Sequence, residues 1–473
     1  MLFNSYKFAH FFLILLPLYW SLQRSLRLQN VLVLAASYYF YACWEPRFLA
    51  LLIASTMMDF ACGLAVDRIE GPRNRKLFVA LSMALNLGML GYFKYVNFFA
   101  ESLQLLLAKG GWHVSIDHLN VMLPIGISFY TFQSMSYVID VYRRDIKPTR
   151  NLVQFAAFVS FFPHLVAGPI MRPTTLLPQI EKRRTFSLQQ FYHGVYLIFW
   201  GLTKKVVIAD NLEPIVTDLF SRWHTIDGGL ALLAIYAFAF QIYCDFSGYT
   251  DAARGIAKCL GFELALNFNL PYFATSPKDF WARWHISLST WLRDYLYIPL
   301  GGNRGGIWKV YRNLMLTMVI GGLWHGAAWN FAVWGLYQGL ILILHKACEP
   351  YLKRYQPTDS VEAACWTATR IAVTFHLVCL GWLFFRSSSL AQAWGMLEAI
   401  VLRPSVPASA TLIAVLVCIV PLAIVQLGQY VSRDLDMVFR TPWYVRSAFY
   451  TALFYAFVLS GNFRGGQFIY FQF

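Results

Sequence analysis

Long apolar runs, separated by short polar stretches, organise the chain. Predominantly apolar sequence recurs at 8–22, 29–43, 48–66, 77–99, 119–139, 190–212, 229–246, 311–324, 326–348, 371–385, 410–427 and 445–460. None of it alternates with the period of two that a membrane barrel strand needs, and in lipid a backbone must satisfy its own hydrogen bonds. The runs therefore read as helices of a polytopic membrane protein. Several are shorter than the roughly 20 residues of a straight span, and 119–139 is interrupted by Pro124 and Gly126. The pattern predicts an all-α fold with about ten to twelve transmembrane helices plus half-crossing segments. The first run is preceded by one basic residue, Lys7, and followed by no small-x-small cleavage site, so it is expected to be a retained helix and not a signal peptide.

Composition supports this class. Of 473 residues, 58% are hydrophobic and 13% charged, where a soluble domain carries about 25% charged residues. The formal net charge is +15, which in a soluble chain would suggest nucleic acid. Here it reads as loop charge facing the cytoplasm and anionic lipid headgroups, with no nucleic-acid partner. The cysteines, Cys43, Cys62, Cys244, Cys259, Cys348, Cys365, Cys379 and Cys418, form no CxxC pair. They read as small buried hydrophobes, not as a metal or disulfide framework.

Basic residues also set orientation. Arg24 and Arg27 follow the first run, Arg68, Arg73, Arg75 and Lys76 the third, and Arg143, Arg144, Lys147 and Arg150 the fifth. Alternation puts these loops inside and the N-terminus outside. The next basic segment, MRPTTLLPQIEKRR at 171–184, is also expected inside, although one apolar run, 151–170, intervenes. That run ends in Pro163, His164, Gly168 and Pro169, so it is read as re-entrant or surface-lying. Irregular backbone at membrane depth is tolerated only where it is buried in protein or lines a wet cavity. Residues 267–313 mix Trp281, Trp284, Trp291, Tyr295 and Tyr297 with Lys278, Arg283, Arg293, Arg304, Lys309 and Arg312, a pattern suited to interfacial amphipathic helices. With no tandem repeat, low-complexity tract or hydrophilic domain, 1–473 reads as one integral domain.

The candidate chemistry lies in the histidines. His325, inside LMLTMVIGGLWHGAAWNFAVWG, is flanked by Gly321, Gly322 and Gly326, small residues that would let a chain or ligand approach. A neutral imidazole there can act as a general base, or be a satisfied structural residue. His285 sits beside the hydroxyls of Ser287, Ser289 and Thr290, and local sequence equally suits an interfacial histidine bound to water. His10, His193, His345 and His376 read as structural. No HxxxH or HExxH stands near the two candidates, so no metal is expected, and no GxSxG elbow suggests a serine hydrolase. CDFSGYTD at 244–251 places Asp245 and Asp251 at an expected span end; structural roles, such as pairing with Arg254 or Lys258, are preferred over ligand contact.

Six stretches carry a family likeness. LPIGISFYTFQSMSYVIDVYR (123–143), FFPHLVAGPIMR (161–172), QIYCDFSGYTDAARGIA (241–257), FWARWHISLSTWLRDYLYIPLGGNR (280–304), GGLWHGAAWNFAVWG (321–335) and FIYFQF (468–473) together resemble the membrane-bound O-acyltransferase family, in its bacterial alginate O-acetyltransferase branch. The resemblance implies helices around a central tunnel, with the family's invariant histidine at His325 and its second, upstream polar position at His285. Asn267, Asn269, Trp324, Trp291, Arg293, Asp294 and Asn303 become tunnel candidates, and His285, Asn267, Asn269 or a backbone amide remain open as oxyanion donors. The likeness further implies acetyl-coenzyme A as a cytoplasmic cosubstrate, with no tightly bound cofactor. The expected location is the bacterial inner membrane, and the expected activity is transfer of an acetyl group across it for O-acetylation of an exported polysaccharide.

Two other functions compete. One is D-alanyl or other acyl transfer to a cell-wall polymer; the other, a glycan or lipid transporter, lacks the repeated halves and broken-helix symmetry that such folds favour. The longest segment expected outside in the first half of the chain, about 100–118, is too short for a hydrolase-like fold, so an extracytoplasmic acetyltransferase or esterase-like partner is expected. The aromatic C-terminal residues Phe468, Tyr470, Phe471 and Phe473 would either dock that partner or pack within the fold.

Overall fold

The computed structural model describes the whole chain except residues 117, 118, 120, 167, 356, 358, 408, 464–467 and 470–473, and among the described residues it is helical throughout, with no strand. Among the described residues the apolar runs fall mainly on helices, although within 119–139 the helix begins only at Ile127. Among the described residues, six helical stretches are long and apolar enough to cross a membrane: Pro46–Arg68, Pro72–Lys109, Gly228–Cys259, Trp329–Leu352, Ser360–Arg386 and Ser409–Ser432. Other runs make shorter helices. Tyr6–Ser21 has 16 residues and Ile127–Arg143 has 17; at about 1.5 Å per residue neither covers a hydrocarbon core of about 30 Å unaided.

The chain forms two compact units, Met1–Phe199 with Thr250–Ala265, and Trp200–Tyr249 with Leu266–Phe473. In the first, a buried carboxylate ties three helices. Asp59 on Pro46–Arg68 accepts from Ser82 Oγ at 2.6 Å and Asn86 Nδ2 at 2.8 Å, both on Pro72–Leu90, and from Ser134 Oγ on Ile127–Arg143. Polar side chains act as interhelical glue where no water competes. The segment read as re-entrant is Leu152–Ser160 followed by the short turn Phe162–Leu165. Asn151 caps it through Oδ1, which accepts from Val153 N at 3.0 Å, and the break falls at Phe161, just before Pro163. Residues 155–166 are buried, which meets the condition for irregular backbone at depth. Arg184 departs from its expected place in a basic loop. It is buried, donating to Asn30 Oδ1 at 2.8 Å with its guanidinium 4.9 Å from the Phe262 ring, because a planar cation can be satisfied by amides and an aromatic face together.

In the second unit, Ile307–His325 and Trp329–Leu352 form a tightly packed pair. A Cβ on Gly322 would collide with the carbonyl of Phe331 and lie 3.0 Å from Gly335 Cα; one on Gly335 would lie 2.8 Å from Val319 Cα. Gly322 and Gly326 beside His325 therefore accommodate the neighbouring helix, Gly326 under the Phe331 ring, whereas Gly321 meets only Leu292 Cδ1 at 3.1 Å. The cysteines divide: Cys62, Cys244, Cys259 and Cys379 are buried as expected, whereas Cys43, Cys348 and Cys365 are exposed. An apolar run on a membrane helix has a lipid-facing side as well as a protein-facing one, so lying within it does not ensure burial.

Candidate active site

His325 is the last residue of Ile307–His325, where Gly326 turns the backbone to an extended conformation before the next helix begins. The turn leaves the imidazole 4% exposed within an aromatic surround. Its ring centroid is 5.1 Å from Trp324, 5.1 Å from Trp334 and 5.4 Å from Phe385, with Trp334 and Phe385 presented edge to face. Behind Trp334 lies Trp382, stacked at 6.2 Å, and behind that Trp284, at 4.7 Å. These rigid rings limit the orientations open to the imidazole.

His285 reaches the same wall from a different element. It precedes Ile286–Leu292 with φ 45° and ψ 52°, a left-handed conformation that a residue with a side chain adopts at a cost of about 1–3 kcal/mol. Asn267 stabilises this bend by capping the helix start from a distant position. Its carbonyl accepts from Ile286 N at 3.0 Å, and its Oδ1 accepts from Ser287 N at 3.1 Å and Ser287 Oγ at 2.9 Å. The same Oδ1 lies 3.2 Å from His285 Nδ1. A peptide N–H can only donate, so the atom it meets is the amide oxygen, and Nδ1 must be the protonated nitrogen. The neutral ring then presents Nε2 as an acceptor. Burial, at 0% exposure, pushes the His285 pKa down to about 3, so the ring stays neutral at physiological pH. Phe246 meets this ring at right angles at 4.6 Å.

Trp324 joins the two histidines: its ring lies 6.2 Å from His285 and 5.1 Å from His325. Thus His325, His285, Asn267 and Trp324 share one buried constellation. Asn267 Nδ2, Trp334 Nε1 and Gln338 Oε1 are buried there without a hydrogen-bond partner among the described residues. Unsatisfied buried donors and acceptors are rare in native proteins and call for a ligand or ordered water.

The remaining sequence candidates lie elsewhere. Asn269 borders a separate recess of about 490 Å³ with Arg283, Tyr430 and Arg433. Arg293 is exposed and paired with Asp294 at 2.7 Å, on the π-helical turn Arg293–Tyr297. Asn303 accepts from Tyr297 Oη at 2.9 Å, and Trp291 is buried beside Tyr295 at 5.1 Å. The motif at 244–251 is not at a span end but in the middle of the 32-residue helix Gly228–Cys259. Asp251 pairs with Arg254 at 3.1 Å, as preferred, whereas Asp245 pairs with Lys205 at 2.6 Å. Lys204 and Lys205 were missed because the surrounding run looks apolar on average. Two adjacent charges inside such a run are themselves the signal, since an intramembrane ion is costly and marks a function or a partner.

At the C-terminus, Phe468 and Ile469 are buried, which places these two within the fold; Tyr470, Phe471 and Phe473 lie outside the described residues.

Comparison with known proteins gives this geometry a family. The membrane-bound O-acyltransferase family matches residues 143–390, which include both histidines and Asn267. The chain is 44% identical over 402 residues to a probable alginate O-acetylase AlgI of Azotobacter vinelandii, covering 84% of this chain and 78% of that protein. It is 35% identical to a peptidoglycan O-acetyltransferase of Helicobacter pylori, covering 77% and 72%. A teichoic acid D-alanyltransferase of Bacillus subtilis is 30% identical, covering 56% and 69%. The chain belongs to the membrane-bound O-acyltransferase family and is a multi-pass membrane acyltransferase.

Proposed function

We propose that this protein transfers an acetyl group from cytoplasmic acetyl-coenzyme A across the bacterial inner membrane for O-acetylation of an exported polysaccharide, alginate or another cell-surface glycan. The whole chain acts as one integral domain in this reading. Relatives named as polysaccharide O-acetylases support the acetyl donor and the glycan acceptor. The observation that carries the chemistry is the buried constellation itself: two imidazoles bridged by Trp324, beside an Asn267 amide nitrogen with no partner among the described residues.

His325 is the general base. A ring nitrogen takes the proton of the acceptor hydroxyl as its oxygen attacks the thioester carbonyl; the C–S bond then breaks, and the departing coenzyme A sulfur recovers the proton from the imidazolium. Positioning supplies much of the rest of the acceleration. Asn267 Nδ2 is the proposed donor to the developing oxyanion. His285 Nε2, an acceptor in this tautomer, orients a hydroxyl and does not donate to the oxyanion. Trp334 Nε1 and Gln338 Oε1 offer one donor and one acceptor, matching the two faces of an amide such as those in the pantetheine arm of coenzyme A. Final transfer onto the polymer falls to an extracytoplasmic acetyltransferase or esterase-like protein in this reading.

Inverted membrane vesicles supplied with acetyl-labelled acetyl-coenzyme A test this reading. Label should reach the lumenal side, and a glycan there when the partner is present, only in vesicles carrying this protein. Transfer from a D-alanyl carrier protein with none from acetyl-coenzyme A would replace it with the cell-wall aminoacyl alternative.

A further inference from the structure

The two lysines in the middle of an apolar run hold a network that ends at the histidine site. Lys204 and Lys205 open the π-helical turn Lys204–Ala209, and such turns are frequent where helices carry function. Lys205 Nζ lies 2.8 Å from Asp210 Oδ1 and 2.6 Å from Asp245 Oδ1, with all three side chains buried. The other oxygen of Asp245, Oδ2, accepts the peptide N–H of Ile469 at 2.7 Å. A second tie runs alongside: Asn462 donates through its peptide N to Val206 O at 2.8 Å and through Nδ2 to Asp210 O at 3.0 Å. Phe468, next to Ile469, rests 5.0 Å from Tyr249 and 5.6 Å from Phe246. Phe246 is the ring that meets His285 edge to face at 4.6 Å.

We infer that Lys205 is a positioning residue for His285: through Asp245 and the Ile469 peptide it seats Phe468 behind Phe246, which holds the imidazole. The inference rests on the proposed role of His285. Lys205 occupies one oxygen of Asp245 and leaves the other to the peptide N–H of Ile469; removing the ammonium would strip a buried side chain of its ion-pair partner. Asn267 secures one edge of His285 and Phe246 its face, and a left-handed residue persists only where its surroundings over-determine it. Without Phe468, Phe246 keeps Phe268 at 5.1 Å but loses a ring contact at 5.6 Å, which loosens its hold on the face of His285.

Four variants test this: Ile469→Pro, which removes one N–H; Lys205→Met, which removes the charge and keeps the stem; Phe468→Ala; and Phe468→Leu. The first three should lower kcat for acetyl transfer roughly ten- to a hundredfold with KM for acetyl-coenzyme A changed by less than about twofold, and Phe468→Leu should recover most of the loss. Melting temperature in detergent reports folding. Folded Ile469→Pro and Phe468→Ala proteins with wild-type kcat overturn the inference. So does a fall in yield with unchanged turnover per folded molecule, which assigns the network to stability alone. His285→Asn and His325→Ala are measured alongside. If these two retain turnover, the histidine reading fails first; if they lose it while Ile469→Pro and Phe468→Ala keep it, only the positioning role fails.

Discussion

Asn267 Oδ1 stands 3.2 Å from Nδ1 of His285 while accepting from the peptide N–H of Ser287 at 3.1 Å, so one amide oxygen both caps a helix and selects the histidine tautomer. The same side chain leaves its nitrogen for the proposed contact with the oxyanion. Asn267→Ala should therefore lower kcat by about 10²- to 10³-fold, in the range of a lost oxyanion donor. Asn267→Asp separates the two duties, because it keeps an acceptor for Nδ1 and Ser287 but replaces the donor with an anionic oxygen. It should fall at least as far as Asn267→Ala. An Asp variant with near wild-type kcat would remove the oxyanion assignment and leave Asn267 as a cap.

The neutral state of His285 has a consequence for stability in acid. Its folded pKa, about 3, lies below the ordinary value of 6.5 because burial disfavours the imidazolium. The unfolded chain binds a proton below pH 6.5 that the folded chain refuses, so this site costs nothing above that pH and destabilises progressively as pH falls towards 3. The slope reaches at most about 1.4 kcal/mol per pH unit. Melting curves of wild type and His285→Asn between about pH 7 and pH 4 should diverge on the acid side, with wild type losing stability faster. Parallel curves would show that His285 protonates in the folded state and that its surroundings are wet.

Close packing of Ile307–His325 on Trp329–Leu352 sets the position of His325 from the opposite side. Gly322→Ala and Gly335→Ala each press a methyl into backbone, Gly335 Cα at 3.0 Å in one case and Val319 Cα at 2.8 Å in the other. Each should destabilise by about 1–3 kcal/mol, seen as a lower melting temperature together with lower kcat. Gly321→Ala is the control. Its nearest neighbour is Leu292 Cδ1 at 3.1 Å, the movable end of a side chain, so the loss should be smaller. Equal losses at all three glycines would contradict the packing account.

The helical class was legible because the apolar runs, read for length and period alone, fall mainly on helices, and the interruption around Pro163 marked the break that the backbone makes there. His325 was legible because an imidazole at an apolar run is conspicuous, whereas His285, in a mixed aromatic and basic segment, stood out only through the family likeness. Local pattern had less to say about what surrounds them. Trp334 and Phe385 reach His325 from other helices, with Trp382 stacked behind Trp334, and aromatic residues are too common in this chain, at 18%, for any one to stand out. Asn267 was grouped with Asn269 as a tunnel candidate and possible oxyanion donor, yet only Asn267 caps Ile286–Leu292; the distinction depends on a left-handed turn at His285 that no residue in WHISL announces. Lys205 and Asp245, forty residues apart, were unreadable as a pair because their meeting requires two helices to be packed first.

Acetyl transfer by His325→Ala, measured in inverted vesicles at matched protein level with labelled acetyl-coenzyme A, bears most directly on the proposed chemistry. Loss of the general base should lower kcat by about 10²- to 10⁴-fold, with membrane insertion and melting temperature close to wild type. A folded, inserted His325→Ala protein that turns over at the wild-type rate would contradict it.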